Sequence, residues 1–183
     1  MKIAIVSDTH DNLVNFKKAI NWIENEKIKT IIHCGDIGPP SGLKEVIKNF
    51  SGKIHLVFGN IEDRDLLTKK ISEGNIPNAI LYGELGEIKK EGKKIAFCHF
   101  PDFAKKIAST GKYDKVFYGH THKPWEEKIG KCDLVNPGNL AGIFYMASFA
   151  TYDTKKDKLE LKILDKNINF QEKSKKNSRR AKK

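Results

Sequence analysis

The sequence lacks the features that mark membrane-spanning and disulfide-rich proteins. None of its apolar runs approaches the roughly 18 residues that a membrane-spanning helix needs, and its three cysteines form no CxxC pair. An odd number of unpaired cysteines indicates a reducing compartment. The apolar run 3–6 follows Met1 and Lys2 directly, with the functional candidate Asp8 close behind it, so we expect no removable signal peptide. These absences predict a cytoplasmic protein that makes no membrane contact.

Acidic side chains are missing from the C-terminal end of the chain. Residues 173–183 hold seven Lys or Arg, and without them the 34 basic and 23 acidic side chains become 27 and 23, so the net charge falls from +11 to +4. With one small apolar residue in this segment, we expect a basic, disordered tail over residues 171–183. A weak nucleic-acid contact is one interpretation of this tail. A solvated terminus is favoured, because no aromatic side chain is interleaved for base stacking.

The apolar fraction of 39% in 183 residues is enough for one sizeable core. Residues 3–7, 30–33 and 54–58 are short runs rich in β-branched or aromatic side chains, as buried strands are. Between the first two runs, apolar residues recur at three- and four-residue spacing from Leu13 to Ile23, which predicts an amphipathic helix capped by Asp11 or Asn12 and hence a βαβ unit. Further helices are predicted over residues 43–50, 62–71 and 101–109.

After Pro77 the pattern changes to strands in close succession. They are predicted over residues 79–81, 84–89, 93–98, 115–118, 133–135, 144–153 and 158–164. No internal repeat and no interdomain linker interrupts the chain. We therefore expect one α/β domain over residues 1–170, with two mixed sheets and helices on their outer faces.

Side chains that commonly bind metals follow five of the predicted strands. They are Asp8 with His10, Asp36, Asn60, His99, and His120 with His122. In open α/β sheets, functional sites form beyond the carboxyl ends of the strands. Because neighbouring strands lie about 4.8 Å apart, loops from five strands can converge on one pocket. Gly35, Gly59 and Gly119 precede three of these groups, where we expect sharp turns that aim the next side chain inward.

These residue types suit a pair of divalent cations. Two metals about 3.5–4 Å apart need a ligand with two usable oxygens, and Asp36 is the natural bridge because it is the lone carboxylate of its motif. Neutral imidazoles, a second Asp and an Asn amide oxygen suit borderline cations, so we expect manganese first and nickel, cobalt, zinc or iron as alternatives. Two divalent cations carry +4 against −2 from two Asp side chains. Such a site would attract a phosphate.

Each of these motifs also has a structural interpretation. An Asp after a strand is often a turn or cap residue, and Gly-Asn pairs usually mark turns. Coincidence would have to place four of the six histidines directly after strand ends, so the joint pattern favours a site. His33 and His55 lie inside strand patterns and are interpreted as packing residues. Cys34 and Cys98, which lie near ligand loops, are interpreted as small buried core residues rather than redox sensors.

The motifs resemble those of the calcineurin-like metallophosphoesterase superfamily. They are, in order, Asp8-Thr9-His10, Gly35-Asp36, Gly59-Asn60, His99 and Gly119-His120-Thr121-His122. Ser7 before the first motif and the later Asn136-Pro137-Gly138 resemble its compact prokaryotic phosphodiesterase branch, the YfcE-like family. The resemblance covers residues 1 to about 165. It implies a four-layer α-β-β-α sandwich with two metals at the strand ends.

The resemblance also implies a ligand set and a reaction. One metal would be held by Asp8, His10, Asp36 and His122, and the other by Asp36, Asn60, His99 and His120. A hydroxide bridging the metals would attack the phosphorus of a small phosphate ester in line with the leaving oxygen. Asp36, Asn60 and His120 are the catalytic residues expected around that nucleophile.

Two positions depart from the family pattern. Many members carry a His directly after the Gly-Asn pair, where it can protonate the leaving group, but here Ile61 stands there, followed by Glu62 and Asp63. General acid catalysis is worth roughly 10²–10⁴-fold. Its absence favours diesters with stabilised leaving groups, unless Glu62, Asp63 or a metal-bound water donates. Phe100 and Pro101 replace the Gly-His that often follows the histidine of the fourth motif, which predicts an apolar, stiff pocket wall.

Two other functions stay open on the sequence alone. The first is a non-catalytic binding scaffold on the same fold, as the retromer subunit Vps29 illustrates, although all seven ligand positions here are chemically competent. The second is a nucleic-acid-associated phosphodiesterase that uses the basic tail. The family resemblance further implies a homodimer. The prediction favoured by the sequence is a dinuclear phosphodiesterase.

Overall fold

The structure is a computed structural model that describes residues 1–164, so the predicted tail and residues 165–170 of the predicted domain lie outside the described residues. Eleven strands and four helices are found within residues 1–164. The strands are β1 (Lys2–Val6), β2 (Thr30–His33), β3 (Lys53–Leu56), β4 (Ala79–Leu81), β5 (Gly86–Lys90), β6 (Lys93–Phe97), β7 (Lys115–Phe117), β8 (Trp125–Ile129), β9 (Cys132–Asn136), β10 (Ser148–Asp153) and β11 (Lys158–Ile163). The helices are α1 (Leu13–Asn25), α2 (Pro40–Ile47), α3 (Arg64–Ser72) and α4 (Pro101–Ala108). None of these four helices is long and apolar enough to cross a membrane.

The strands form two mixed sheets. The first sheet has six strands in the order β11-β10-β1-β2-β3-β4, and the second has five in the order β5-β6-β7-β9-β8. Strands β1 to β4 run parallel to one another, as do β6, β7 and β9. The remaining pairs, β1–β10, β10–β11, β5–β6 and β8–β9, are antiparallel. The β1-α1-β2 unit is the βαβ unit that the sequence predicts. Parallel strands bring the loops after β1, β2 and β3 to one edge of the sheet.

Three apolar clusters separate four layers. Because side chains alternate across a strand, Ala4 and Val6 of β1 face helices α1 to α3, whereas Ile3 and Ile5 face the second sheet. The third cluster packs α4 against the outer face of the second sheet. Fully burying each such Ile contributes about 1.5–3 kcal/mol. The structure therefore confirms the predicted α-β-β-α sandwich of two mixed sheets with flanking helices.

Several element boundaries differ from the predicted ones. The predicted strand over 144–153 begins only at Ser148, and residues 144–147 belong to a loop in which Phe144 is 88% exposed. An apolar run reads as a strand from sequence, but Phe144, Tyr145 and Met146 are exposed, and of these four residues only Ala147 packs into the core beneath the helices. Strand β8 was not predicted, because Trp-Glu-Glu-Lys-Ile lacks a buried face and owes its pairing to β9 at the sheet edge.

Helix starts follow local chemistry. Helix α2 begins at Pro40, three residues before the predicted start, because proline suits the first turn of a helix. Asn12, rather than Asp11, caps α1, and its side chain accepts the backbone N–H of Asn15 at 3.1 Å. This cap begins the helix immediately after the first candidate ligand motif.

Candidate metal centre

The seven candidate ligands lie in loops that follow five parallel strands. Asp8 and His10 follow β1, Asp36 follows β2 and Asn60 follows β3 in the first sheet. His99 follows β6, and His120 with His122 follows β7, in the second sheet. Hydrogen bonds link loops across the two sheets, such as that from the backbone N–H of His120 to Asp8 Oδ1 at 3.1 Å. The structure thus brings all seven predicted side chains together.

Four of the side chains form a first group. One nitrogen or oxygen from each of Asp8, His10, Asp36 and His122 lies within 4.8 Å of the others. The Nε2 atoms of His10 and His122 are 3.1 Å apart. His10 Nε2 is 3.4 Å from Asp36 Oδ2, and His122 Nε2 is 3.4 Å from Asp8 Oδ1. These atoms converge on a point that a single cation can occupy.

A second group forms around the other oxygen of Asp36. His99 Nε2 lies 3.4 Å from Asp36 Oδ1 and 3.0 Å from Asn60 Oδ1. His120 Nδ1 is 3.0 Å from Asn60 Oδ1 and 3.2 Å from His99 Nε2. Asp36 therefore directs Oδ2 towards the first group and Oδ1 towards the second. This is the geometry of a carboxylate shared between two cation sites.

Among the residues that the structure describes, no Lys or Arg pairs with the two buried carboxylates. Asp8 is fully buried and Asp36 is 2% exposed. Within residues 1–164 their ion-pair partners are the histidines of the two groups. Burying a carboxylate is costly unless a cation or several hydrogen bonds compensate it. This set of ligand atoms therefore fits divalent cations. Their positive charge would compensate the two carboxylates, which neutral imidazoles cannot do.

Hydrogen bonds prepare individual ligands for this role. His99 Nδ1 lies 2.8 Å from the carbonyl oxygen of Cys34. Because a carbonyl can only accept, Nδ1 carries the proton and Nε2 presents its lone pair to the second group. In the first group, the hydrogen bond with Asp8 raises the pKa of His122 above its ordinary value, against the opposing effect of burial. Protons therefore compete with a cation for this nitrogen.

Backbone strain is concentrated at the ligands, a feature that the sequence analysis did not anticipate. Five of the seven have positive φ angles, which non-glycine residues seldom adopt and which cost about 1–3 kcal/mol each. They are Asp8 (51°), His10 (43°), Asp36 (56°), His120 (69°) and His122 (60°). Asp, Asn and His tolerate this conformation better than most residues. The occurrence of Asp and His directly after strand ends is the sequence signal from which these positive φ angles could have been predicted.

The three glycines that precede ligands are needed for two different structural reasons. Gly35 has φ of 93°, so it makes the predicted turn. Gly59 and Gly119 are outside the left-handed region, and for them the predicted reason is wrong. A Cβ on Gly59 would overlap the backbone nitrogen and Oδ1 of Asp36, and one on Gly119 would lie 2.7 Å from Asp8 Oδ2. These two glycines let neighbouring loops approach the carboxylates closely.

The two acids considered as proton donors are engaged elsewhere. Glu62 Oε1 accepts the N–H of Ile37 at 2.8 Å, and its Oε2 accepts the N–H of Gly59 at 2.7 Å. Asp63 caps α3 by accepting the N–H of Leu66 at 2.9 Å. Ile61, which follows the Gly59-Asn60 pair, is 43% exposed. Glu62 therefore joins the second and third ligand loops and holds no free oxygen for a proton transfer.

The remaining histidines are buried, as predicted. His33 Nδ1 accepts the N–H of Gly35 at 3.2 Å, and burial lowers the pKa of His33 to about 3. His55 Nδ1 lies 2.8 Å from the hydroxyl of Tyr82, and burial lowers the pKa of His55 to about 4. Both rings are neutral at pH 7. The three cysteines are also buried, and burial raises the pKa of Cys98 to about 12, which leaves its thiol unreactive.

Apolar walls border the two groups. A cavity of about 330 Å³ opens beside His10, and it is lined by His10, Asp11, Gly38, Pro39, Pro40, Ile61, Asp63 and Leu66. On the other side, the Phe100 ring packs edge-on against His99 and His120, with centroid distances of 4.9 and 5.0 Å. Aliphatic and aromatic side chains therefore border both ligand groups, together with Asp11 and Asp63 on the cavity side.

Comparisons with known proteins agree with this arrangement. The model of the calcineurin-like phosphoesterase superfamily domain matches residues 1–157. A phosphodiesterase of Methanocaldococcus jannaschii is 33% identical over 172 residues, which span 90% of this chain and 100% of that protein. The solved structure of an archaeal phosphodiesterase superposes with a TM-score of 0.80 at 30% identity, and covers 89% of this chain and 99% of the other.

More distant structures share the fold alone. YfcE, a phosphoesterase from E. coli, has a TM-score of 0.64 at 17% identity, with 92% of this chain and 100% of that chain covered. A single-site variant of Vps29 from Entamoeba histolytica has a TM-score of 0.64 at 16% identity, with 89% and 99% covered. Since a fold hosts both enzymes and scaffolds, the family assignment depends on the family model and the first two relatives. By these matches, the chain belongs to the calcineurin-like phosphoesterase superfamily.

Proposed function

We propose that this protein is a dinuclear metal-dependent phosphodiesterase. The observation that carries the proposal is the position of Asp36, whose two oxygens lie 3.4 Å from His10 and from His99, one in each ligand group. A carboxylate shared in this way is the bridging ligand that a pair of cations requires. The names of the two more similar relatives, both phosphodiesterases, support the same activity.

The proposed ligand set divides between the two cations. Asp8, His10, Asp36 and His122 would hold the first, and Asp36, Asn60, His99 and His120 the second. Four imidazoles, two carboxylates and one amide oxygen suit borderline divalent cations, with manganese proposed first and nickel, cobalt, zinc or iron as alternatives. When bound, the two cations supply a nucleophile at neutral pH by lowering the pKa of water, and they offset the charge that develops on the phosphoryl oxygens.

The chain's own residues orient the substrate. Asn60 and His120 are the exposed members of the ligand set, so the phosphate would enter from their side. The cavity beside His10 would receive one ester group against Ile61 and Leu66. Exclusion of water by these side chains strengthens every electrostatic contact with the phosphate. This apolar wall suits a second ester group better than the charged oxygen of a monoester.

Preference for diesters follows from the missing proton donor. Ile61 cannot protonate a leaving group, and the oxygens of Glu62 already accept two backbone N–H groups. Leaving groups that depart without protonation are therefore favoured. Alkyl monoesters, whose leaving oxygen requires a proton, would be poor substrates.

Hydrolysis of bis-p-nitrophenyl phosphate and p-nitrophenyl phosphate, assayed with Mn, Ni, Co or Zn, tests this proposal. We expect a higher kcat/KM for the diester and two bound metals per chain by elemental analysis. Asp36→Asn should lower kcat/KM by roughly 100-fold or more and remove at least one metal, because an amide cannot bridge two cations as a carboxylate does. Asp65→Asn is the matched control, since Asp65 is exposed on α3 and belongs neither to the ligand groups nor to the lining of the cavity.

Three results would count against the proposal. Full metal loading without turnover of either substrate would favour a binding scaffold. A preference for the monoester would remove the diester assignment. Equal metal content in Asp36→Asn and the parent protein would remove the bridging role of Asp36.

A further inference from the structure

Four consecutive apolar side chains are exposed beside the metal centre. They lie in loop 137–147, between β9 and β10, and are Ile143 (40% exposed), Phe144 (88%), Tyr145 (44%) and Met146 (47%). Single exposed apolar residues are common on protein surfaces, but a contiguous run is typical of a binding surface. None of these four residues is a candidate ligand, so cation binding does not explain why they are exposed.

The loop is anchored by hydrogen bonds to the backbone carbonyl groups of two candidate ligands. Asn139 Oδ1 accepts two loop N–H groups, at 2.6 and 3.0 Å, and its Nδ2 donates to the carbonyl oxygen of His122 at 3.0 Å. The N–H of Ala141 donates to the carbonyl oxygen of Asp8 at 3.0 Å. The loop is thus bonded to two of the candidate ligands. Its exposed side chains are held in position relative to the first ligand group.

Phe144 is strained and has little packing to compensate for the strain. Its φ of 64° is a left-handed conformation, which is a genuine outlier for a bulky residue. Its ring lies 5.8 Å from the ring of His122, centroid to centroid, and most of its surface faces solvent. Residues in such conformations cluster at functional sites, where neighbouring structure holds them. The loop's hydrogen bonds are that neighbouring structure here.

We infer that Phe144 is a stacking platform for a planar aromatic ester group of the substrate, which makes it a specificity-determining residue. The inference depends on the proposed function, because it requires a phosphate at the adjacent ligand groups. A diester has two substituents, and the molecule offers two apolar surfaces: the cavity beside His10 and the ring beside His122. One substituent would occupy each surface.

A ring-sized occupant fits this surface better than a second copy of the chain. A stable protein–protein interface buries about 800 Å² on each partner, whereas this run offers four side chains, three of them less than half exposed. Stacking needs only one ring face, which Phe144 presents. Aromatic pairs favour centroid distances of about 4.5–7 Å, and the spacing between Phe144 and His122 already falls in that range.

Binding of two non-hydrolysable probes to the metal-loaded protein tests the inference. We expect diphenylphosphinate to bind about 2- to 12-fold more tightly than methyl(phenyl)phosphinate in calorimetry, which is the range that an aromatic pair contributes. Both probes can place one phenyl ring in the cavity beside His10, and only diphenylphosphinate has a second ring for Phe144. Phe144→Ala and Phe144→Leu should both bring this ratio close to one, whereas Phe144→Trp should retain it. The leucine variant separates ring stacking from general apolar contact. Because Phe144 is exposed, these variants should fold like the parent protein.

The outcomes distinguish this inference from the proposed function. An unchanged affinity ratio of the two probes in Phe144→Ala would overturn the stacking role, even if diester hydrolysis is confirmed. A parent dimer in sedimentation that becomes a monomer in Phe144→Ala would assign the loop to self-association and would also overturn it. If the parent protein hydrolyses no diester, the proposed function fails. The affinity ratio of the two probes would still measure the contribution of the Phe144 ring to binding.

Discussion

At Gly59 the candidate metal centre leaves no room for a methyl group, because a Cβ there would overlap the backbone nitrogen and Oδ1 of Asp36. Gly59→Ala is expected to destabilise the fold by about 1–3 kcal/mol through overpacking and to weaken metal binding by displacing the shared carboxylate. Gly92→Ala is the matched control, since Gly92 has open space and only a strained φ of 85°. Urea unfolding and metal titration of both variants check this prediction.

In that experiment the two substitutions should differ clearly in metal affinity. Gly92→Ala should cost about 1–2 kcal/mol of stability, as expected for one residue in a left-handed conformation, with metal affinity unchanged. Equal metal affinities in the two variants would show that the close approach of Gly59 to Asp36 does not matter for the site. The comparison isolates contact with the carboxylate from the general effect of removing a glycine.

At the scale of secondary-structure elements, Glu62 joins the loop after β2 to the loop after β3. Its carboxylate accepts hydrogen bonds from the backbone N–H groups of Ile37 and Gly59. Glu62→Gln replaces one acceptor oxygen with an N–H donor, so one of these two hydrogen bonds is lost. The distance between Asp36 and Asn60 then becomes less fixed. Loss of an outer-shell partner typically lowers metal affinity by about 10–100-fold. Metal titration by calorimetry measures the effect.

Glu45→Gln is the control for this prediction, because Glu45 forms an exposed ion pair with Lys17 on the helical face of the molecule. Exposed ion pairs contribute little to stability, so metal affinity should match that of the parent protein. If Glu62→Gln binds metal as tightly as Glu45→Gln does, Glu62 does not position the ligand loops. The carboxylate would then serve only to cap its own turn.

Across the whole molecule, buried neutral histidines make stability depend on pH. Burial lowers the pKa of His55 to about 4, against roughly 6.5 in the unfolded chain. Between these values the unfolded chain binds a proton that the folded chain does not bind, so the free energy of unfolding falls as pH falls through this window. Solvent screening around this partly enclosed ring reduces the loss from His55 to about 1–2 kcal/mol near pH 4.

Urea unfolding of the parent protein and His55→Gln between about pH 7 and pH 4 checks this prediction. The variant should lose less stability on acidification than the parent protein does. Some dependence should remain, because burial lowers the pKa of His33 in the same direction. Parallel pH profiles in the two proteins would contradict the assignment of this slope to His55.

Much of the whole-molecule arrangement could be predicted from sequence because it depends on local pattern. Alternation in β1 assigns Ile3 and Ile5 to one face and Val6 to the other, and helical spacing after Leu13 predicts α1. Strand β8 could not be predicted, because its charged pattern gains a strand conformation only by pairing with β9. The start of β10 could not be predicted because residues 144–146 are apolar without being buried.

By itself the sequence determined which side chains can bind cations and that they follow strand ends, because residue type and strand periodicity are properties of neighbouring positions. Tertiary structure alone decided how Asp36 divides its two oxygens between the groups, and that Glu62 is engaged by backbone N–H groups. It also decided that Phe144 stands in solvent beside His122. These features depend on distances between loops that are far apart in the chain, and only the packing of two sheets sets such distances.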